Sequence, residues 1–235
     1  MSIFQFKYFS IKQDKAAMKV GTDAMLLGSF VDVSNKKRAL DVGSGTGVLA
    51  CMLAQQKSDL FIDAVEIEGN AFSELVINVQ NTSFSNQINP IYGDILTLHF
   101  DSKYDLIVSN PPYFEDTYLS QHNERNLARH ILDLTPNKLI GLCFKLLSDN
   151  GDFWVIIPAK NIDVWLKTAE KIGFYLVSEI KIMGVPGRHV RSIISFSKQI
   201  RQINHQVFVI RDINGNYTNE YKKRTKEFHF NTPNR

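Results

Sequence analysis

RALDVGSGTGVLACMLAQQ, residues 38–56, joins a short apolar run to a helical one through three glycines. Ala39, Leu40 and Val42 read as a buried strand, and Val48, Leu49, Met52 and Leu53 recur at helical spacing. Between them, Gly43, Gly45 and Gly47 let the backbone turn tightly and let a ligand come close where a Cβ would collide. A strand that feeds a helix through such a loop is the first half of a βαβ unit, so the elements on either side should repeat that alternation.

They do. LFIDAVEI (60–67) reads as a second strand and EGNAFSELVINVQNT (68–82) as the next helix; INPIYGDI (88–95) and KYDLIVSN (103–110) are a third and fourth strand. TPNKLIGLCFKLLSDNG (135–151) predicts a helix capped by Thr135, opened by Pro136 and stopped by Asn150-Gly151. DFWVIIP (152–158), the helix NIDVWLKTAEKIG (161–173), and the strands FYLVSEIKIM (174–183) and RSIISFSK (191–198) complete the series. The expected architecture is a doubly wound α/β domain with a seven-stranded, mostly parallel sheet whose last pair is antiparallel. Such sheets bind ligands beyond the carboxyl ends of their strands, where strand order reverses.

Composition narrows the class. With 235 residues, 44% of them hydrophobic, the chain can bury one large core. No apolar stretch is long enough to span a bilayer, and MSIFQFKYFS at the start lacks the features of a secretion signal, so a cytoplasmic protein is expected. Cys51 and Cys143, far apart and each inside a helical pattern, read as buried thiols and not as a disulfide framework or a metal site. The net charge of +3 is mild, but it is unevenly spread: Lys36, Lys37 and Arg38 form one cluster, and Lys222, Lys223, Arg224 and Lys226 another. Each is either a solvated face or a surface that tracks phosphates.

Four strand ends carry polar residues that core packing does not explain. Asp41 precedes the first glycine of a G-x-G-x-G loop. A dinucleotide site uses G-x-G-x-x-G and presents a helix start to a pyrophosphate, which a carboxylate at Asp41 would repel. The same carboxylate suits a ligand with a cationic amine and sulfonium, which favours S-adenosylmethionine over a nicotinamide cofactor. Glu66, at the end of the second strand, is placed to accept both ribose hydroxyls. Asp94 can accept from the exocyclic amine of the cofactor's adenine, with Ile95 packing its ring, and Glu68 reads as an early helical residue favoured by the helix dipole.

The fourth strand ends in Asn110-Pro111-Pro112-Tyr113. Proline cannot continue a central strand, so this is a stiff loop beyond the sheet edge. The side-chain oxygen of Asn110 and the carbonyl of Pro111 can both accept from the amine of an adenine, whose delocalised lone pair makes it a poor nucleophile. Pro112 keeps the loop rigid, and Tyr113 offers a face for the base. Catalysis would then rest on positioning and preorganised acceptors, acting on a base extruded from its stack.

Together LDVGSGTG, VEIE and SNPPY resemble the amino methyltransferases with an N/D-P-P-Y/F/W motif, whose fold is Rossmann-like. FKYFSIKQDKAAMKVGTDAMLLGSF (6–30), LARHILDLT (127–135) and NGNYTNEYKKRTKEFHF (214–230) narrow the resemblance to the bacterial tRNA1(Val) (adenine(37)-N6)-methyltransferases. The resemblance implies methylation of N6 of adenosine 37 in the anticodon loop of a valine tRNA. It implies a single domain over 1–235, with residues 1–36 capping the cofactor and substrate site and a hairpin-helix extension over 205–235. It also implies that Thr22, Asp41, Gly43, Gly45, Glu66, Asp94 and Asn110 hold the donor, and that Asn110 to Tyr113 hold the base. The turn Gly21-Thr22-Asp23, with Thr22 as helix cap, closes over the donor's methionine end. Arg129 and His130 contact RNA or brace the loop, and Lys222, Lys223 and Arg224 meet the tRNA. No metal and no obligate protein partner are expected.

Other readings share parts of this pattern. A glutamine-N5 protein methyltransferase uses the same pocket on an amide but usually carries a helical substrate domain ahead of the first strand. A ribosomal guanine-N2 enzyme fits a compact chain but not the N-terminal segment. A DNA adenine methyltransferase needs a separate base-reading domain for which there is no room. A protein that binds RNA without turning it over would have no need of Asn110 and Asp41.

Overall fold

Alternation along the strands decides which side of the sheet each residue serves. In the computed structural model, which describes residues 2–112 and 134–230, Leu106 and Val108 face one apolar cluster and Ile107 the other. Burying side chains of this size on both faces contributes about 1.5–3 kcal/mol each. A strand apolar on both sides is stable only between two layers of helix.

The chain opens with a small antiparallel ribbon of β1 (Ile3–Gln5) and β2 (Ser10–Lys12), then α1 (Thr22–Phe30). The repeating units follow: β3 (Arg38–Val42), α2 (Val48–Gln56), β4 (Phe61–Glu66), α3 (Gly69–Gln80), β5 (Ile88–Tyr92) and β6 (Tyr104–Ser109). After these come α4 (Pro136–Leu146), β7 (Leu147–Pro158), α5 (Ile162–Ile172), β8 (Tyr175–Met183), β9 (His189–Ser197), β10 (Asn204–Val209) and α6 (Asn219–Thr225). The main sheet has the order β10-β8-β9-β7-β6-β3-β4-β5. β9 pairs antiparallel with both β7 and β8, and the remaining pairs are parallel. Residues of α1, α2 and α3 share one cluster, and those of α4 and α5 the other. Among the described residues no helix is long and apolar enough to cross a membrane.

Two expectations need correction. The sheet has eight strands, not seven. Asn204–Val209 adds itself beside β8 as an edge strand, with Phe208 its one fully buried residue. A strand with so little apolar content does not stand out in a sequence. The helix expected to run to Asn150 stops at Leu146, because Leu147 is buried as the β-partner of Tyr104. Pairing resumes at Leu106 with Asp152, so residues 148–151 bulge out. Gly151 allows the chain to return: a Cβ there would lie 2.7 Å from Leu147 Cγ and 3.0 Å from the Tyr104 carbonyl.

The N-terminal segment is held by α3. Glu74, 2% exposed, accepts from the amides of Asp14 (2.7 Å), Lys15 (3.0 Å) and Ala16 (3.0 Å). One turn on, Asn78 Oδ1 accepts from the Lys12 amide (2.8 Å), and its Nδ2 donates to the carbonyls of Lys12 and Thr46 (both 2.9 Å). Thr46 lies in the glycine loop, so one asparagine ties residues 12–16 to that loop. The amide of Val20 closes the segment by donating to Gln13 Oε1 at 2.6 Å.

Candidate active site

Strand order reverses between β3 and β6, and the polar strand ends meet there. The Ser109 hydroxyl donates to the Val42 carbonyl at 2.9 Å. This pins the end of β6 to the residue before Gly43, so Asn110 leaves the sheet beside the glycine loop. Gly43, Gly45 and Gly47 have φ of 71°, 57° and 90°, a region other residues adopt only with strain. A Cβ at Gly43 or Gly45 would meet nothing within 4 Å, so the open side of the loop is unfilled. Next to it lies a small cleft of about 50 Å³, lined by Val42, Gly43, Val65, Ile67, Gly93, Asp94, Ile95 and Leu134.

The three acids behave differently. Asp41 is fully buried, on the α2 side of β3, and neither of its carboxylate oxygens has a hydrogen-bond partner among the described residues. The Ser44 hydroxyl donates to its main-chain carbonyl instead, at 3.1 Å. Burial pushes the Asp41 carboxyl up to about 7; the nearby Ser44 hydroxyl and Ala50 amide oppose this, and the charge of Glu66 adds to it. Glu66 Oε2 accepts from the Gly45 amide at 2.7 Å, and Oε1 from the amides of Ile67 and Glu68 at 2.9 and 2.8 Å. Burial still raises its carboxyl above the ordinary value. Three of about four acceptor positions are thus taken, which leaves Oε2 able to accept one more hydroxyl without giving up a bond. Asp94 sits in the cleft wall, with Oδ1 accepting from the Leu96 amide at 2.9 Å.

Asn110 repeats the pattern of Asp41. Its Oδ1 is buried and has no partner among the described residues, while Pro111 is buried and Pro112 half-buried. A buried amide oxygen without a donor costs about 1–3 kcal/mol, and proteins retain few such groups without cause.

The rest of the predicted set is more scattered. Thr22 does not cap its helix: Gly21 is the cap, its carbonyl accepts from the Met25 amide, and Thr22 is already helical. Thr22 and Asp23 line a neighbouring groove, where Asp23 Oδ2 accepts from Arg191 Nε at 2.9 Å. Glu68 is itself the cap of α3, accepting from the amides of Asn70 and Ala71. Cys51 and Cys143 are both free and buried, as expected. Lys222, Lys223 and Arg224 lie on α6. That helix starts at Thr218, whose hydroxyl donates to Val209 at the carboxyl end of β10, and descends the flank until Glu227 reaches Gln55 in the last turn of α2. The Arg224 guanidinium covers the Phe30 ring at 4.4 Å. Tyr113, Arg129 and His130 fall outside the described residues.

Glu74 and Asn78 escaped the sequence reading, although a signal existed. They fall on the stripe Ala71, Glu74, Leu75, Asn78, Val79, all buried. A polar residue on the apolar stripe of a helix is either an error of assignment or a clamp.

Residues 15–161 match the family described as methyltransferase small domain. The tRNA1(Val) (adenine(37)-N6)-methyltransferase of Actinobacillus pleuropneumoniae serotype 7 is 39% identical, covering 97% of this chain and 97% of its own. The one from Flavobacterium psychrophilum is 36% identical over 97% of this chain and 99% of its own. A solved structure described as a predicted O-methyltransferase from Agrobacterium tumefaciens superposes with a TM-score of 0.69 at 16% identity, over 88% of this chain and 96% of that one, a likeness of fold alone. Because the sequence likeness runs through both ends and not only through the glycine loop and the Asn-Pro-Pro turn, the chain belongs to the tRNA1(Val) (adenine(37)-N6)-methyltransferase family.

Proposed function

We propose that this protein methylates N6 of adenosine 37 in the anticodon loop of tRNA1(Val), in the cytoplasm, with S-adenosylmethionine as donor. The observation that carries the reading is Asn110: a buried acceptor without a partner among the described residues, at the end of β6 and beside an open glycine loop. An adenine amine brings the donor that this oxygen lacks. The glutamine-N5 and guanine-N2 readings share the turn, but they do not account for relatives of one name aligned along 97% of the chain.

The residues present fit the donor. Gly43 and Gly45 leave room over the loop, Glu66 Oε2 has an acceptor site for a ribose hydroxyl, and Asp94 and Ile95 line the cleft beside it, an acceptor and an apolar contact for the adenine end of the donor. Asp41, buried without a partner, supplies negative charge beneath the loop, and a cation above it favours the ionised form. S-adenosylmethionine, when bound, supplies an electrophilic methyl group on sulfur. Asn110 and the Pro111 carbonyl accept the two N–H bonds of the base and orient its nitrogen, Pro112 stiffens the turn, and Tyr113 stacks on the ring. Such fixed acceptors act as an oxyanion hole does, with the polarity reversed. The clamp of Glu74 and Asn78 ties residues 12–16 to α3 and to Thr46 of the glycine loop, which supports a capping role for this part of the N-terminal segment.

Total tRNA from cells lacking the gene, incubated with the protein and donor and digested to nucleosides, should gain N6-methyladenosine by mass spectrometry, while duplex DNA should not. Donor binding without any gain in tRNA would defeat the substrate assignment.

A further inference from the structure

A second groove lies on the same edge of the sheet as Asn110. β9 runs antiparallel to β7, so its first residue, His189, stands at the carboxyl end of β7 and β6; Met183 ends β8 beside His189, and Val209 ends β10 beside Met183. The turn over residues 184–188 and the segment from Ile210 to Tyr217 therefore rise from the catalytic edge. With strands about 4.8 Å apart they stand roughly 10–20 Å along it from Asn110. Together with the start of α1 they line an open groove of about 440 Å³.

We propose that this groove takes the phosphate backbone of the tRNA arm whose adenosine enters the Asn110 pocket, an inference that rests on the function proposed above. Three arginines, Arg188, Arg191 and Arg211, line it against one carboxylate, Asp23, which is already matched to Arg191. Among the described residues, no further acid of the groove compensates the guanidinium charges of Arg188 and Arg211. Arg211 is held in place: its Nη1 donates to the Gly215 carbonyl at 2.6 Å, and its guanidinium lies 3.9 Å from the centroid of the Tyr217 ring. Tyr217 also stacks on Tyr221, with centroids 4.4 Å apart and planes 10° from parallel. Both partners are too close to share one face, so neither face of Tyr217 is open to a nucleobase, and the ring serves to hold Arg211. A planar fork held in this way loses little freedom on meeting a phosphate, which it can grip with two N–H groups. Arg188 is exposed on a turn fixed by two main-chain bonds, Gly184 to Arg188 and Arg188 to Val185, and its side chain has no partner among the described residues. The groove thus offers preorganised anion sites and no stacking platform, a combination that suits a sugar-phosphate chain and not an unpaired base.

Unmodified tRNA1(Val) transcript, titrated by fluorescence anisotropy between about 50 and 200 mM salt, tests the assignment. R188Q and R211Q should each weaken tRNA binding roughly five- to tenfold and lower the salt slope by about one, uniformly across sequences. Donor affinity by calorimetry should not move. Arg211 also supports its own segment, so thermal melts accompany each variant, and Arg188, whose side chain bonds nothing among the described residues, carries the test if R211Q unfolds. A double variant that keeps wild-type affinity and slope, while K222Q/K223Q loses them, overturns the proposal and makes the flank helix α6 the RNA face. Wild-type protein that neither binds nor methylates the transcript defeats the substrate reading instead.

Discussion

Asp41 and Glu74 are carboxylates with nearly the same burial, 0% and 2% exposed. Glu74 receives three main-chain amides and uses them to hold the N-terminal segment. Asp41 receives none among the described residues, and Asn110 Oδ1, at the end of β6, is in the same condition. A buried acid costs several kcal/mol unless it is satisfied, so the two sites answer the same physical demand differently. At the clamp the fold itself supplies the donors. At the strand ends of β3 and β6 no donor is present among the described residues, and under the proposed function a cationic donor and an adenine amine would fill that deficit.

The contrast is sharpest at Asn110. N110A should lower turnover by about 10² to 10³, the size of effect seen when one preorganised hydrogen-bond partner is removed, while melting temperature stays near wild type. A variant that melts early instead would place Asn110 with the structural group. E74A leaves three amides without an acceptor and should cost about 3 kcal/mol or more, a fall in melting temperature of roughly 6–12 °C for a chain of this size. Unchanged thermal stability would show the clamp to be dispensable. D41N, which keeps the shape and removes the charge, should leave stability at neutral pH equal or higher and weaken donor binding by roughly tenfold or more; a loss of stability like that of E74A would erase the distinction.

The smallest effect is one of slope. The Asp41 carboxyl titrates near 3.8 in the unfolded chain and at about 7 in the folded protein, so between these values the folded state holds a proton that the unfolded state releases. Stability from this group is present in full below pH 4 and is lost as pH rises through about 7. D41N should flatten that decline in denaturant titrations across this range. A residual slope of the same sign remains from Glu66, whose carboxyl is also raised by burial. An identical slope in wild type and D41N would mean that Asp41 is not the titrating acid.

Much of this site was legible because it is written locally. Gly43, Gly45 and Gly47 advertise positive φ wherever they occur between a strand and a helix, and two prolines after an apolar run end a strand in any context. The position of Glu66 at a strand end was legible in the same way, but its engagement with the amides of Gly45, Ile67 and Glu68 was not, because it depends on how the neighbouring loop folds back. Thr22 carried the composition of a helix cap, yet Gly21 ends up in that place, because where a first turn closes depends on the Gly21 carbonyl reaching Met25. β10 went unseen because an edge strand with one buried side chain has almost no periodicity to read.

Periodicity, glycine spacing and the acids at strand ends therefore determined the α/β class, the cofactor loop and the Asn-Pro-Pro turn, since each is a property of residues close together in the chain. The tertiary structure alone decided that Glu74 holds residues 14–16, that Asp41 is left without a partner, and that Arg188, Arg191 and Arg211 share one groove with Asp23, from which Arg191 is separated by 168 positions. Partnership and burial depend on which distant segments the sheet brings side by side, and a pattern along one dimension does not contain that information.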